Sequence, residues 1–249
     1  MILAVDIGNT NITIGVFEGD ELVETHRIES NKNYTVFDFE SELRSLLTGK
    51  TIEGCIIGSV VDELTYSVKQ ACNSAFGVDS ILLTPQSNLG IRLKTEKPHT
   101  IGADRLANVY AALKYPLPGI VVDVGTAVTF DIIDKDRNFI GGVIMPGVNM
   151  GLKALAEGTS KLYEIKPQNS PMAIGNTTET CILSGVVRGT ACAIEGLLVQ
   201  CEKELGGKAT VILTGGQSEL VAQYMERTPD VINRNLTLEG LNNIYKETC

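Results

Sequence analysis

The sequence is poor in metal-binding and basic side chains. It has only 2 histidines, His26 and His99, and its 6 cysteines (Cys55, Cys72, Cys181, Cys192, Cys201 and Cys249) include no C-x-x-C pair, which excludes a zinc constellation. The cysteines read as small buried hydrophobes of a reduced compartment, so a cytoplasmic localisation is expected. Lysine and arginine number 21 against 30 aspartate and glutamate, a formal net charge of −9. The basic footprint of a nucleic-acid-binding surface is missing, and no nucleic-acid partner is expected. No continuous apolar run approaches the length of a bilayer span, so no membrane association is expected. Residues 1–6 reach a carboxylate at Asp6 without a basic flank, the pattern of a strand rather than a signal peptide.

What remains is a globular composition, 43% apolar and 20% charged over 249 residues, a length that suits two modest domains. An acidic protein that binds a phosphorylated ligand has to neutralise phosphate locally, through backbone N–H groups, a single cation or a metal.

Hydrophobic periodicity predicts β-β-β-α-β-α-β for the first third of the chain. Ile2 to Ile7 is almost wholly apolar, Ile12, Ile14 and Val16 alternate with small residues, and Glu21 to Ile28 follows the turn at Gly19-Asp20. Phe39, Leu43, Leu46 and Leu47 fall at helical spacing, as do Leu64, Val68, Ala71, Cys72 and Ala75, with strands at Glu53 to Val60 and Ser80 to Leu83. Residues 84–101 carry Pro85 and Pro98 without a period and read as an irregular connection, followed by a helix through Leu106, Val109, Tyr110 and Leu113. The breaker Pro116-Leu117-Pro118-Gly119 marks the expected domain boundary, giving domains 1–117 and 118–249. Val122-Asp123-Val124-Gly125 then repeats Val5-Asp6-Ile7-Gly8, each followed by a threonine-bearing loop and another strand, which points to a duplicated β-β-β unit. Later elements are a short helix at Leu152 to Glu157, a long one at Thr177 to Leu205, a strand at Ala209 to Thr214, and helices near Leu220 to Met225 and Leu238 to Tyr245.

Three segments could carry chemistry. Asp6, Ile7, Gly8, Asn9, Thr10 and Asn11 end a buried strand in a tight turn whose N–H groups can hold phosphate, or whose Asp and Asn merely bond the turn backbone. A carboxylate beside a triphosphate is repelled by about 4 kcal/mol per charge pair at about 4 Å and a dielectric near 20. Asp6 and Asp123 therefore imply a cation, and Mg²⁺ held by Asp6 directly or through water fits phosphoryl transfer. Gly102-Ala103-Asp104-Arg105 opens a helix, where Asp104 is either an end charge favoured by the helix dipole or a base taking a hydroxyl proton beside an anion-binding Arg105. Asn176-Thr177-Thr178-Glu179 is a capping-box pattern whose hydroxyls serve as caps or ligand contacts. Gly185, Gly189 and Ala193 lie four apart and would flatten one helix face for close packing, at a dimer seam or a domain interface. Gly215-Gly216 after a strand offers bare backbone to an adenine or ribose, or simply a turn into a helix.

In this order, Asp6-Ile7-Gly8-Asn9-Thr10-Asn11, Gly102-Ala103-Asp104-Arg105, Val122 to Ala127, Gly141 to Gly147 and Asn176-Thr177-Thr178 resemble the type III pantothenate kinase family over nearly the whole chain. The resemblance implies an α/β fold of two duplicated actin-like, ribonuclease H-like domains with mixed sheets flanked by helices around an ATP cleft. It further implies a cytoplasmic homodimer that phosphorylates pantothenate in the first step of coenzyme A synthesis. Carried over by position, it makes Asp6, Ile7, Gly8, Asn9, Thr10, Asn11, Ile12 and Thr13 an ATP phosphate loop, with Thr126 a further ATP contact. Asp104 becomes the proton acceptor, Gly102, Ala103, Asp104, Arg105 and Thr178 the pantothenate contacts, and Asp123 the holder of K⁺ or NH₄⁺. One departure stands out: Thr95 occupies a position where many members have tyrosine. A nucleotide-responsive regulator of the same fold, or a superfamily kinase or phosphohydrolase with another acceptor, are the alternative functions.

Overall fold

The computed structural model describes residues 1–248, and the chain forms two compact units. Each is built on a sheet with an interior strand whose penultimate residue is an aspartate, Asp6 or Asp123.

The first unit opens with the meander β1 (Ile2–Ile7), β2 (Asn11–Glu18) and β3 (Glu21–Glu29). Helix α1 (Val36–Leu46) follows, started by Thr35, which accepts a hydrogen bond from the Asp38 N–H while the Asp38 carboxylate accepts one from the Thr35 N–H. Next come β4 (Gly54–Ser59), α2 (Asp62–Phe76), which stops at Gly77 with φ +70°, and β5 (Ile81–Leu83). The 5-stranded sheet runs β3-β2-β1-β4-β5, with β1 antiparallel to β2 and parallel to β4. One face buries Leu3, Val5, Ile7, Ile12 and Ile14 against Phe39 and Leu43 of α1 and the Leu64, Val68, Cys72 stripe of α2. Each such side chain contributes roughly 1.5–3 kcal/mol when fully buried. Helix α3 (Ala103–Ala112) begins directly after Gly102.

The second unit takes in the short strand β6 (Arg92–Leu93) and then repeats the meander as β7 (Gly119–Val124), β8 (Ala127–Ile133) and β9 (Asn138–Pro146). After α4 (Val148–Gly158) come α5 (Thr178–Leu183), a π-helical turn at Ser184–Arg188, and α6 (Gly189–Leu205). Strand β10 (Thr210–Thr214), α7 (Ser218–Ala222) and β11 (Val231–Ile232) complete it. Its 6-stranded sheet runs β11-β10-β7-β8-β9-β6, the order of the first sheet with β6 added at one edge. The repeat extends to detail. Asp6 pairs with Thr13 across β1 and β2, Asp123 pairs with Thr129 across β7 and β8, and each meander carries a register shift, at Val16/Phe17 and at Ile132/Ile133.

Three features differ from the sequence expectation. First, the units do not divide at residue 117: Ala112 onward joins the second unit, as do Arg92–Thr95, and the C-terminal helix α8 (Leu236–Thr248) returns to the first. Packing explains the return. Leu241 covers Gly58, Gly54 leaves room for the Tyr245 ring, and Gly240 lies against the backbone of Ala107. Asn242 also donates to the Gly19 carbonyl at 3.0 Å, and Thr237 to the Asn108 side chain at 2.8 Å. Second, the long helix expected from Thr177 to Leu205 is present as α5, the π turn and α6, Thr178–Leu205, but the π turn was not expected, and neither was its being, at 28 residues, long and apolar enough by length and composition to cross a membrane. Ile182, Leu183, Val187, Ile194 and Leu198 of this helix lie in the core of the second unit. Third, the two-residue strands β6 and β11 are too short to leave a period.

Gly240→Ala should push a methyl group into the Ala107 carbonyl, where no flexible side chain can yield. We expect a stability loss of about 3 kcal/mol, read as a lower urea midpoint at unchanged slope.

Candidate active site

The first candidate loop closes β1 into β2. The Gly8 N–H donates to the Asn11 carbonyl at 3.0 Å, making a tight hairpin in which Asn9 and Thr10 are exposed and Asp6 and Thr13 are half-buried. Ser30, just past β3, holds the loop from behind. Its hydroxyl donates to the Gly8 carbonyl at 2.6 Å and its N–H to the Thr10 carbonyl at 3.1 Å. Two carbonyl dipoles are thereby drawn away from whatever lies in front of the loop, which suits an anion. No periodicity or motif marks Ser30; its role depends on where β3 ends.

Asp104 lies in the same unit, close to this loop. Val60 donates from its N–H to the Ile7 carbonyl at 3.1 Å, and a Cβ on Gly102 would approach Val60 at 3.1 Å and the Asp104 carboxylate at 2.5 Å. Gly58, in register with Asp6, would bring a Cβ to 3.5 Å from that of Ala103. The C-terminal ends of β1 and β4 therefore abut the first turn of α3. Asp104 Oδ1 accepts the Arg105 N–H at 2.7 Å. Burial by the surrounding chain raises the Asp104 pKa above the ordinary carboxylate value, and the Arg105 N–H and guanidinium offset only part of that rise. A carboxyl made more basic by burial while keeping some contact with solvent is suited to accepting a proton.

In the second unit the loop after Asp123 is one residue tighter. The Gly125 N–H donates to the Ala127 carbonyl at 3.0 Å, and backbone bonds brace the loop: Gly147 N–H to Thr126 carbonyl at 3.1 Å and Gln217 N–H to Val124 carbonyl at 3.0 Å. Gly147 would drive a Cβ into Thr126 at 2.5 Å, and Gly215, at φ +92°, would drive one into the Asp123 carboxylate and Val124. Asp123 is half-buried, and Thr126 is exposed at the tip. The glycines at 147 and 215 are thus close-packing positions, a role the sequence does not distinguish from a flexible turn.

Thr178 is exposed in the first turn of α5. The cap there is Thr177, whose partner is Thr180: the Thr180 N–H donates to Thr177 Oγ1 at 3.2 Å, and the Asn176 and Thr177 N–H groups donate to Thr180 Oγ1 at 3.0 Å each. Glu179, the expected capping partner, instead accepts from Gln168 at 2.7 Å. Division of labour between neighbouring threonines leaves Thr178 out of the cap. Of the small residues on the long helix, Gly185, which lies in the π turn, is exposed, whereas Gly189 and Ala193 in α6 are half-buried.

The structure thus groups Asp6 to Thr13 with Gly102 to Arg105 in one unit, and Asp123 with Thr126 in the other, which also carries Thr178. Comparison with known proteins bears on the family and the fold. A curated type III pantothenate kinase from Exiguobacterium sp. is 36% identical over 99% of this chain and 98% of its own. Among solved structures, a conserved putative Baf family transcriptional activator from Campylobacter jejuni superposes with a TM-score of 0.63 at 23% identity, covering 99% of this chain and 98% of its own. MreB 5 of Spiroplasma citri bound to AMPPNP gives 0.56 at 10% identity over 99% and 96%, which places the fold among the actin-like α/β proteins. The model of the type III pantothenate kinase family matches residues 2–200, and the chain belongs to that family.

Proposed function

We propose that this protein transfers the γ-phosphoryl group of ATP to the primary hydroxyl of pantothenate, giving 4'-phosphopantothenate and ADP at the first step of coenzyme A synthesis. The observation that carries this reading is the half-buried Asp104 packed beside the Asp6 to Thr13 loop. The hydroxyl oxygen attacks the γ-phosphorus, the bond from that phosphorus to the β,γ-bridging oxygen breaks, and the hydroxyl proton passes to Asp104. Phosphoryl transfer has a loose transition state and asks little of a base, so Asp104 acts chiefly by orienting the nucleophile. Arg105 takes the pantothenate carboxylate, with Gly102, Ala103 and Thr178 as further contacts. The N–H groups of the Gly8 to Asn11 turn take phosphate oxygens, and Thr126 is a further ATP contact.

Two cations belong to this reading. Asp6 is a single carboxylate at a loop suited to phosphate, a donor set that fits Mg²⁺ completing its shell with phosphate oxygens and water. When bound, Mg²⁺ neutralises phosphate charge. Asp123, braced by Gly215, fits a singly charged ion, K⁺ or NH₄⁺, which would screen phosphate from the carboxylate. A homodimer, placed in the cytoplasm by the same reading, is supported by the exposed Ile144, Met150 and Val199 of the second unit and by the open faces of Gly185 and Gly196 on the long helix, which bear on association only.

ADP release coupled to a spectrophotometric readout should depend on added pantothenate; release at the same rate without it would point to a phosphohydrolase or another acceptor. Asp104→Asn should lower kcat by about 10²-fold or more with ATP binding intact, and unchanged turnover would remove Asp104 from the chemistry. The same variant should be more stable than the parent near neutral pH. A raised folded-state pKa means that ionisation costs stability as pH climbs from the unfolded value through the folded one, so the difference in Tm should vanish in acid below both. Replacing K⁺ by Na⁺ should depress the rate several-fold; indifference to the ion would contradict the role of Asp123.

A further inference from the structure

Thr214, the last residue of β10, is fully buried, and its Oγ1 has no hydrogen-bond partner among the described residues. Buried hydroxyls are nearly always satisfied, so an orphan of this kind calls for a ligand. Strand register shows where it points. Val211 and Leu213 of β10, Val122 and Val124 of β7, and Val128 and Phe130 of β8 all face one hydrophobic core. Side chains alternate along a strand, so Thr214, Asp123 and Thr129 face the opposite side. Thr214 is in register with Asp123 on the parallel neighbour, and Asp123 with Thr129 on the antiparallel one. A hydroxyl, a carboxylate and a second hydroxyl therefore form one row across three adjacent strands. Gly215, immediately after Thr214, brings bare backbone against the Asp123 carboxylate.

The equivalent row of the first unit reads Gly58, Asp6, Thr13, with Leu241 covering Gly58. The duplicated sheet has thus gained an oxygen beside one aspartate and not the other. An anion at this row would meet the Asp123 charge, whereas a cation would find lone pairs from both residues. One carboxylate with neutral oxygens balances a single positive charge.

We propose that Thr214 is a ligand of the monovalent cation site at Asp123, donating its Oγ1 lone pair and setting the affinity for K⁺ or NH₄⁺. This rests on the assignment of Asp123 to such a cation, and it distinguishes the two aspartate loops by the ion each takes.

The test needs no turnover. The thermal midpoint of the full chain, without nucleotide, is measured as KCl replaces choline chloride at constant ionic strength; a site that binds only the folded state raises the midpoint with ion concentration. The parent should show a saturable rise. Thr214→Val, which keeps the shape and removes the hydroxyl, should move half-saturation at least 10-fold higher, and Thr214→Ser should restore it. A Thr214→Val titration that matches the parent, with Asp123→Asn abolishing the response, overturns the role of Thr214 and leaves Asp123 as the ion's ligand. No response in the parent would remove the Asp123 assignment and this inference together.

Discussion

The second loop is packed against two glycines that leave no room for a side chain. Gly147 meets Thr126, and Gly215 meets Asp123 and Val124, at separations no Cβ could enter. Strand alternation puts the Asp123 carboxylate on the face shared with Thr129 and Thr214, and Gly215 lies against it. Side-chain clamps can change rotamer, whereas these contacts move only if a strand moves. A side chain at either glycine would have to displace this packing.

The first loop solves the same problem differently. It is one residue longer, and Ser30 ties its carbonyls back with a hydroxyl and an N–H. Duplication explains the shared framework, from strand order to the register shift near each meander's turn, and divergence explains the bracing. Two aspartates in equivalent places thus come to have unlike surroundings. One sits in a row with a glycine covered by α8, and the other in a row with two threonines.

Most of the local structure was legible in the sequence because it follows from local rules. The alternation in Ile12, Ile14 and Val16, the helical stripe from Leu64 to Ala75 and the repeated Val-Asp quartet lead to the observed strands, helix and duplicated meander. Features set by distant packing were not legible. The return of α8 depends on Gly54, Gly58 and Ala107 lying under it, and none of these announces a partner more than a hundred residues away. The capping role of Thr180 in place of Glu179 depends on a segment laid beside the helix, where Gln168 engages the glutamate. Thr214 could be singled out only after strand pairing was known, since parity along β10 says which face it takes and pairing says what shares it. The site is similar. Asp6, Asp104 and Asp123 stand out in the sequence as polar interruptions at element ends, while Ser30, Gly147 and Gly215, which hold them in place, look like ordinary turn residues.

Helix α8 has a consequence for how the chain folds. It covers β4 and touches α3, yet the ribosome delivers it only after every element of the other unit has been made. During synthesis the first sheet therefore waits with Gly54 and Gly58 bare on one face, exposed to unwanted association for as long as translation lasts. The N-terminal half is thus topologically complete early but thermodynamically complete last, and its maturation is tied to successful translation of its sister half.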